Sequence, residues 1–320
     1  MRKILKYQTL SIYIALIIIV IIFSCMSKTF LTLNNFLTIL RQITPMGIMA
    51  VGAMFVMLTG GVDLSVGSEV SLIGIVMAIC MAQKGMGIPT AVLVAIVLGL
   101  AMGVLNAVLV VQVKIPPMIA TLGTSWIYKG LSYTLCEGLP ISGFPKVFSG
   151  FGQGSIGIIP IPIIAFIIVV LLGAFVLNYT AFGRYIYSVG SNSEATRLAG
   201  INIKKVSFSA YIICALLTAL AAIITFSRVN SGQPSTGIGQ EMNVLTAVIL
   251  GGTRFTGGDG KISGVVAGVL VIGVLSNGLV MIGAGDYLQT IIKGAILIFA
   301  LSINTLREKI AADNKIAQKV

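Results

Sequence analysis

The chain has 320 residues, 57% of them hydrophobic and only 9% charged, with a mean hydropathy of +1.06 and a formal net charge of +12. That balance excludes a soluble globular chain, and the absence of histidine removes the usual zinc ligands, histidine-based triads and imidazole relays, so no metal or cofactor site is expected. The lysines and arginines are scattered between apolar runs, with no basic patch interleaved with aromatics, which argues against nucleic acid as a partner.

The expected class is therefore all-α, a polytopic transmembrane helix bundle embedded in a lipid bilayer. The chain opens with Arg2, Lys3 and Lys6 ahead of the apolar run Ile12 to Phe23, a signal-peptide pattern. Phe23 occupies the place where a lipobox ending at Cys25 needs a small residue, so an uncleaved first helix is expected. The apolar runs are Gln8 to Met26, Thr38 to Leu58, Gly67 to Gln83, Pro89 to Val111 and Pro117 to Cys136. They continue as Ile158 to Leu177, Ser207 to Ser227, Met242 to Phe255, Ile262 to Ile282 and Tyr287 to Asn304. About ten helices place both termini on one side, and the eighth run falls short of the roughly 20 residues that a bilayer requires. It is either a half-helix buried in protein or a run whose boundary lies elsewhere.

With the N-terminus inside, 14 basic residues fall on the cytoplasmic side and 5 outside (Lys28, Arg41, Lys84, Lys146 and Arg228), leaving Lys129 and Lys293 in the membrane. This asymmetry satisfies the positive-inside rule and makes both termini cytoplasmic. The four cysteines, Cys25, Cys80, Cys136 and Cys214, lack CxxC spacing and read as small hydrophobes. Glycines spaced four apart, Gly99 with Gly103 and Gly264 with Gly268, suit close packing of helices within the chain.

Four stretches carry more information. In GGVDLSVGS, Gly60 and Gly61 permit a tight turn, Asp63 or Ser65 can cap the helix that continues through Gly67, and Glu69 is expected at the membrane interface. On the next-but-one helix, Thr121, Thr124, Ser125, Tyr128 and Ser132 recur on one face, either as interhelical hydrogen-bonding groups or as the wall of a water-lined path. Lys129 beside them either pairs with a backbone carbonyl or faces that path. The polar segment from Phe182 to Val206 holds Arg184, Glu194, Arg197, Lys204 and Lys205, and must stand in water. Within it Ser191, Asn192 and Ser193 offer N-cap chemistry, Glu194 suits the first turn, and Gly200 can end the helix in αL. GGTRFTGGDGK, from Gly251 to Lys261, lacks the P-loop glycine five residues before the GK pair and the Ser or Thr after it, because Phe255 and Ile262 stand there. It reads as a flexible cytoplasmic turn, and no nucleotide site is evident.

GRYIYSVGSNSEATRLAGINIKKV resembles the cytoplasmic coupling loop of the ribose-type sugar permeases, the membrane subunits of bacterial ATP-binding-cassette importers. GGVDLSVGS, KIPPMIATLGT, QPSTGIGQE, AVILGGTRFTGGDGKISG and SNGL extend the resemblance over nearly the whole chain. It implies one transmembrane permease domain over residues 1–320 in the bacterial cytoplasmic membrane, with a coupling loop at about 179–206. It further implies a second permease copy or homologue, cassette ATPase subunits, and an extracytoplasmic sugar-binding protein that delivers a neutral sugar such as ribose. By that resemblance Arg184, Asn192, Glu194, Ala195, Arg197 and Gly200 belong to the ATPase-coupling surface, and Gly60, Gly61, Asp63, Ser65 and Gly67 to a gate or helix turn. The chain itself is expected to catalyse no bond chemistry. The rival from another class is a self-sufficient secondary transporter of a small polar solute, which usually needs titratable groups in the membrane.

Overall fold

The computed structural model describes residues 2–317, with side chains over residues 12–302. Lys319, and the side chains of the basic residues near both ends that entered the charge count, lie outside the described residues. The described residues form thirteen α-helices: α1 (Arg2–Met26), α2 (Leu33–Leu58), α3 (Val66–Ala78), α4 (Ile88–Ala107), α5 (Pro117–Leu135), α6 (Lys146–Gln153) and α7 (Ile161–Tyr179). There follow α8 (Ala181–Ser191), α9 (Ser193–Leu198), α10 (Ile203–Val229), α11 (Gln240–Leu250), α12 (Ile262–Met281) and α13 (Asp286–Ala317). Single π-helical turns extend α3 through Gln83 and α4 through Gln112.

Each of the ten apolar runs overlaps a helix, although the run Met242 to Phe255 outlasts α11, which ends at Leu250; among the described residues six helices are long and apolar enough to cross a membrane: α2, α3, α4, α7, α10 and α12. The chain is thus an all-α polytopic membrane protein. α5 has 19 residues but misses this group because its polar stripe lowers its hydropathy.

α2 is the centre of the bundle, packed by α10, α12, α7 and α11 and buried almost continuously from Ile43 to Leu58. Pro45 inside it donates no backbone hydrogen bond, and Thr44 bonds its side chain to the Leu40 carbonyl oxygen at 2.9 Å in the same turn. α4 and α7 are peripheral, with Leu93, Val97, Leu171 and Phe175 exposed as a lipid-facing surface.

Small residues decide how closely the helices approach. A methyl group on Gly103 would stand 2.5 Å from the Ala215 side chain of α10, and one on Gly268 would overlap the Ala247 carbonyl oxygen of α11. The glycine pairs therefore serve packing within the chain, where dispersion rather than hydrophobic drive holds helices together.

α11 is the short eighth run. Its 11 residues rise about 16 Å, half of a hydrocarbon core of about 30 Å. At one end Gly251 sits against Gly264 at the start of α12. At the other, the chain arrives as a non-helical segment from Ser231 and Gly232, which pair antiparallel with Ser142 and Ile141 beyond the end of α5. Gln240 consequently begins α11 about halfway along the bundle. The eighth run is thus a half-helix, buried at Val244 and from Thr246 to Ile249, while its first residue Gln240 and, in its non-helical lead, Ser235 and Gly239 are exposed.

The α11–α12 contact predicts that Gly268→Val lowers stability by at least about 2 kcal/mol, because a branched side chain meets backbone that cannot yield. Gly294→Ala on α13, with open space around it, should leave stability unchanged. Thermal unfolding of the two variants in detergent checks both.

Candidate functional site

Residues 59–65 break the chain between α2 and α3, and a wholly buried polar cluster organises the break. Asp63 Oδ1 accepts the Ser65 backbone N–H at 2.9 Å and the Ser65 hydroxyl at 2.6 Å. The Ser65 hydroxyl also lies 2.9 Å from Glu69 Oε1, and Asn106 Nδ2 on α4 donates to Ser65 Oγ at 2.8 Å and to Glu69 Oε1 at 3.3 Å. Thr124 on α5 donates to Asn106 Oδ1 at 2.7 Å. Ser65 occupies the N-cap position of α3 but makes no side-chain cap bond, so of the two capping candidates it is Asp63 that holds the Ser65 N–H.

Glu69 was expected at the interface, yet it is fully buried. Burial is tolerable because Ser65 and Asn106 supply partners; an isolated carboxylate at that depth costs about 3 kcal/mol. Its Oε2 nevertheless has no hydrogen-bond partner.

The five hydroxyl residues of α5 all face inward, toward α3 and α4. The Leu64 N–H donates to Thr121 Oγ1 at 3.1 Å, Ser68 and Ser125 share a 2.8 Å bond, and the Ser71 and Ser132 hydroxyl oxygens lie 3.0 Å apart. Tyr128 donates to the Met102 carbonyl oxygen at 3.4 Å. Lys129 is exposed on the flank of this stripe, one turn from Ser125 and Ser132, while Gly123 and Gly130 lie on the far face of α5, where a methyl group on either glycine would meet nothing within 4 Å. On the same side of α3, a methyl on Gly67 would overlap the Glu241 carboxylate in the first turn of α11.

At the other part of the site, Thr180 caps α8 through the Gly183 N–H at 3.2 Å, and Arg184 is exposed on its first turn. Asn192 ends α8 and begins α9, its Oδ1 accepting the Ala195 N–H at 3.0 Å. Glu194 lies in the first turn and pairs with Arg197 at 2.5 Å on the exposed face, while Gly200 takes φ +80° past the end. Of α9 only Thr196 is buried, bonded to Ser188 at 2.7 Å, so Glu194, Ala195, Arg197 and Leu198 are presented outward.

The segment Gly251–Lys261 is no free turn. Its Gly258 N–H donates to the Leu58 carbonyl oxygen at the end of α2 (2.9 Å), Ser191 donates to the Gly258 carbonyl oxygen (3.2 Å), and Tyr187 to that of Gly260 (2.9 Å). Gly190 of α8 leaves no room for a side chain against Leu58 and Gly258. A cavity of about 550 Å³ between α9, the start of α10 and the helix break is lined by Arg197, Lys204, Tyr211, Lys114, Gly60 and Gly61. The exposed α9 and the buried break are thus mechanically adjacent.

A family model described as branched-chain amino acid transport system / permease component matches residues 35–301. The chain belongs to this permease family. It is 38% identical to the ribose import permease of Escherichia coli (strain K12), over 92% of this chain and 93% of that one, and 37% identical to the ribose import permease of Bacillus subtilis (strain 168), over 93% and 92%. It is also 30% identical to the xylose transport system permease of Escherichia coli (strain K12), over 96% and 94%. No solved structure matches. The family description and the relatives' names point to different cargoes, but both describe a transport permease and not an enzyme.

Sequence reasoning missed Asn106 and Glu241. A lone asparagine inside the fourth apolar run was the available signal for the first. For the second it was the acid directly ahead of a run too short to cross.

The geometry of the permease yields two predictions here. Asn106→Leu should cost about 2 to 3 kcal/mol, because it strips hydrogen bonds from two buried carboxylates, read as a lower unfolding temperature in detergent. Burial, with the Asp259 charge second, pushes the Tyr187 phenol up to about 12. The folded state therefore holds that proton after the unfolded chain has released it at about 10, and stability is lost as pH rises through this window. Tyr187→Phe should flatten that part of the alkaline unfolding curve while lowering stability at neutral pH by about 1 kcal/mol through the unpaired Gly260 carbonyl.

Proposed function

We propose that the chain is the membrane subunit of a binding-protein-dependent ATP-binding-cassette importer for a neutral simple sugar of the ribose type, working as a pair of permease copies or close homologues. The observation that carries this reading is the bare, capped helix α9 fixed to the helix break, in a chain 38% identical to a ribose import permease. A cassette ATPase grips α9 through Glu194, Ala195, Arg197 and the exposed Leu198, with Arg184, Asn192 and Gly200 setting its position. An extracytoplasmic binding protein delivers the sugar at the opposite end of the bundle.

Ten crossings, with α11 and its non-helical lead counted as one, put both termini on one side, and the basic residues gathered there support the cytoplasm for them and for the α8–α9 end. Residues 1–320 form one transmembrane domain with the coupling segment at 179–206.

Movement at α9 passes to α2 through Gly190, Gly258 and Leu58, and from there to the break at Gly60, Gly61, Asp63, Ser65 and Gly67. The hydrogen bonds of Thr121, Thr124, Ser125, Tyr128 and Ser132 carry it to α5. The translocation path runs between the two copies along α5, with Lys129 on its wall and the five hydroxyl residues beside it holding the helix to α3 and α4. The exposed Lys129 and the open space beside Gly123 and Gly130 support this placement.

Two measurements test the reading. In a cysteine-free chain, cysteines replacing Asn192 and Asp259 should label only from the cytoplasm, and those replacing Ser149 and Gln233 only from outside. Arg197→Glu with Leu198→Asp should leave the chain inserted but reduce uptake by at least about tenfold and release the ATPase, a loss of the size expected for a docking hot spot. Normal uptake by this variant would exclude α9 as the coupling element.

A further inference from the structure

Two charged side chains of unlike sign stand at membrane depth on two elements that both pack on α3. Lys129 is 12 residues into α5, about 18 Å from its N-terminal end. Glu241 lies in the first turn of α11, halfway along the bundle. A fixed charge facing hydrocarbon at such depth costs about 3 kcal/mol, so an exposed lysine there marks a surface that meets water or protein.

The two residues border one groove. Ser71 of α3 donates at 2.6 Å to the Pro234 carbonyl oxygen of the chain leading into α11, and its hydroxyl oxygen lies 3.0 Å from that of Ser132 on α5. α5 and residues 234–241 therefore lie on two flanks of the first turns of α3, and Gly67 on that helix leaves room for the Glu241 carboxylate. The charge of Lys129 acts on Glu241, yet no ion pair joins them among the described residues. Glu241 Oε2 has no hydrogen-bond partner.

We propose that Lys129 and Glu241 form a two-charge station on the translocation path, where an ammonium donor and a carboxylate acceptor exchange hydrogen bonds with the hydroxyl groups of a passing neutral polyol. This rests on the reading that the path follows α5. An ammonium offers three donors and a carboxylate only acceptors, while every sugar hydroxyl both donates and accepts. Opposite charges in one groove cancel for an anion or a cation, so neither is drawn in, and a neutral solute with several hydroxyls bridges the pair. Because the two groups are not already joined, the solute does not have to break an ion pair to enter.

The test uses the permease assembled with its ATPase and binding protein in proteoliposomes, and radiolabelled D-ribose as the probe. Cysteines replacing Gly123 and Gly130 in a cysteine-free chain are first exposed to a membrane-impermeant thiol reagent. If neither reacts, the path does not follow α5, and the reading on which the station rests fails with it. If they react, Lys129→Met and Glu241→Gln should each lower maximal uptake by about tenfold or more, the loss expected for one charge-assisted hydrogen bond in a transition state. The half-saturating ribose concentration and the amount of permease in the membrane should stay unchanged, and Lys129→Arg and Glu241→Asp should recover much of the rate. Full uptake by the doubly neutralised variant overturns the station while leaving the path intact. Loss of the chain from the membrane in both neutralised variants, or no recovery in the conservative ones, overturns it in favour of a structural role.

Discussion

The arrangement of α3, α4 and α5 depends on the polar cluster that joins Asp63, Ser65, Glu69, Asn106 and Thr124 inside an apolar bundle. None of these groups reaches solvent appreciably, so each must find its partner within the chain. That requirement fixes three helices at once: Asn106 sets the rotation of α4, Thr124 that of α5, and the turn at Asp63 and Ser65 sets where α3 begins. Hydrophobic contacts alone would leave these rotations loosely specified, since lipid tails are as apolar as the helices they surround.

The second constraint is the half-helix. α11 can start in mid-bundle only because the chain that leads into it is hydrogen-bonded to Ser71 and packed on Gly67 and Val70. The glycines at Gly251, Gly264 and Gly268 then let α11 lie directly on the α12 backbone. A polar segment that would stand at a membrane surface after an ordinary helix is thereby carried to mid-depth. This is how a carboxylate comes to share a groove with the lysine of α5.

These two features meet the water-exposed end through residues 251–261. Hydrogen bonds from this segment to Leu58, Ser191 and Tyr187, with the Arg254–Asp259 ion pair at 3.5 Å, make α8, α9 and the foot of α2 one unit. A displacement of α9 is therefore passed to the foot of α2 and the break between α2 and α3, and the hydroxyl bonds between α3 and α5 tie that break to the rest of the bundle. The ion pair adds little by itself, being half exposed on the arginine side; the backbone hydrogen bonds and the glycine contacts supply the rigidity.

The sequence by itself determined the helical class, because apolar runs of membrane length leave the backbone no other way to satisfy its hydrogen bonds. It also determined the local form of α9, since Asn192, Glu194 and Gly200 act through contacts within a few residues of themselves. The hydroxyl face of α5 was visible in the spacing of Thr121 to Ser132, but not what that face meets, because periodicity says which residues share a side and not what lies opposite. Only the tertiary structure decided that Glu69 is buried and partnered, for its partner Asn106 is 37 residues away. Only it turned the glycine-rich stretch after α11 from a turn into a clamp, through bonds to Leu58 and Ser191 that no local pattern encodes. It alone placed Glu241 at mid-depth, because the depth of a half-helix is set by what it packs against and not by its own hydropathy.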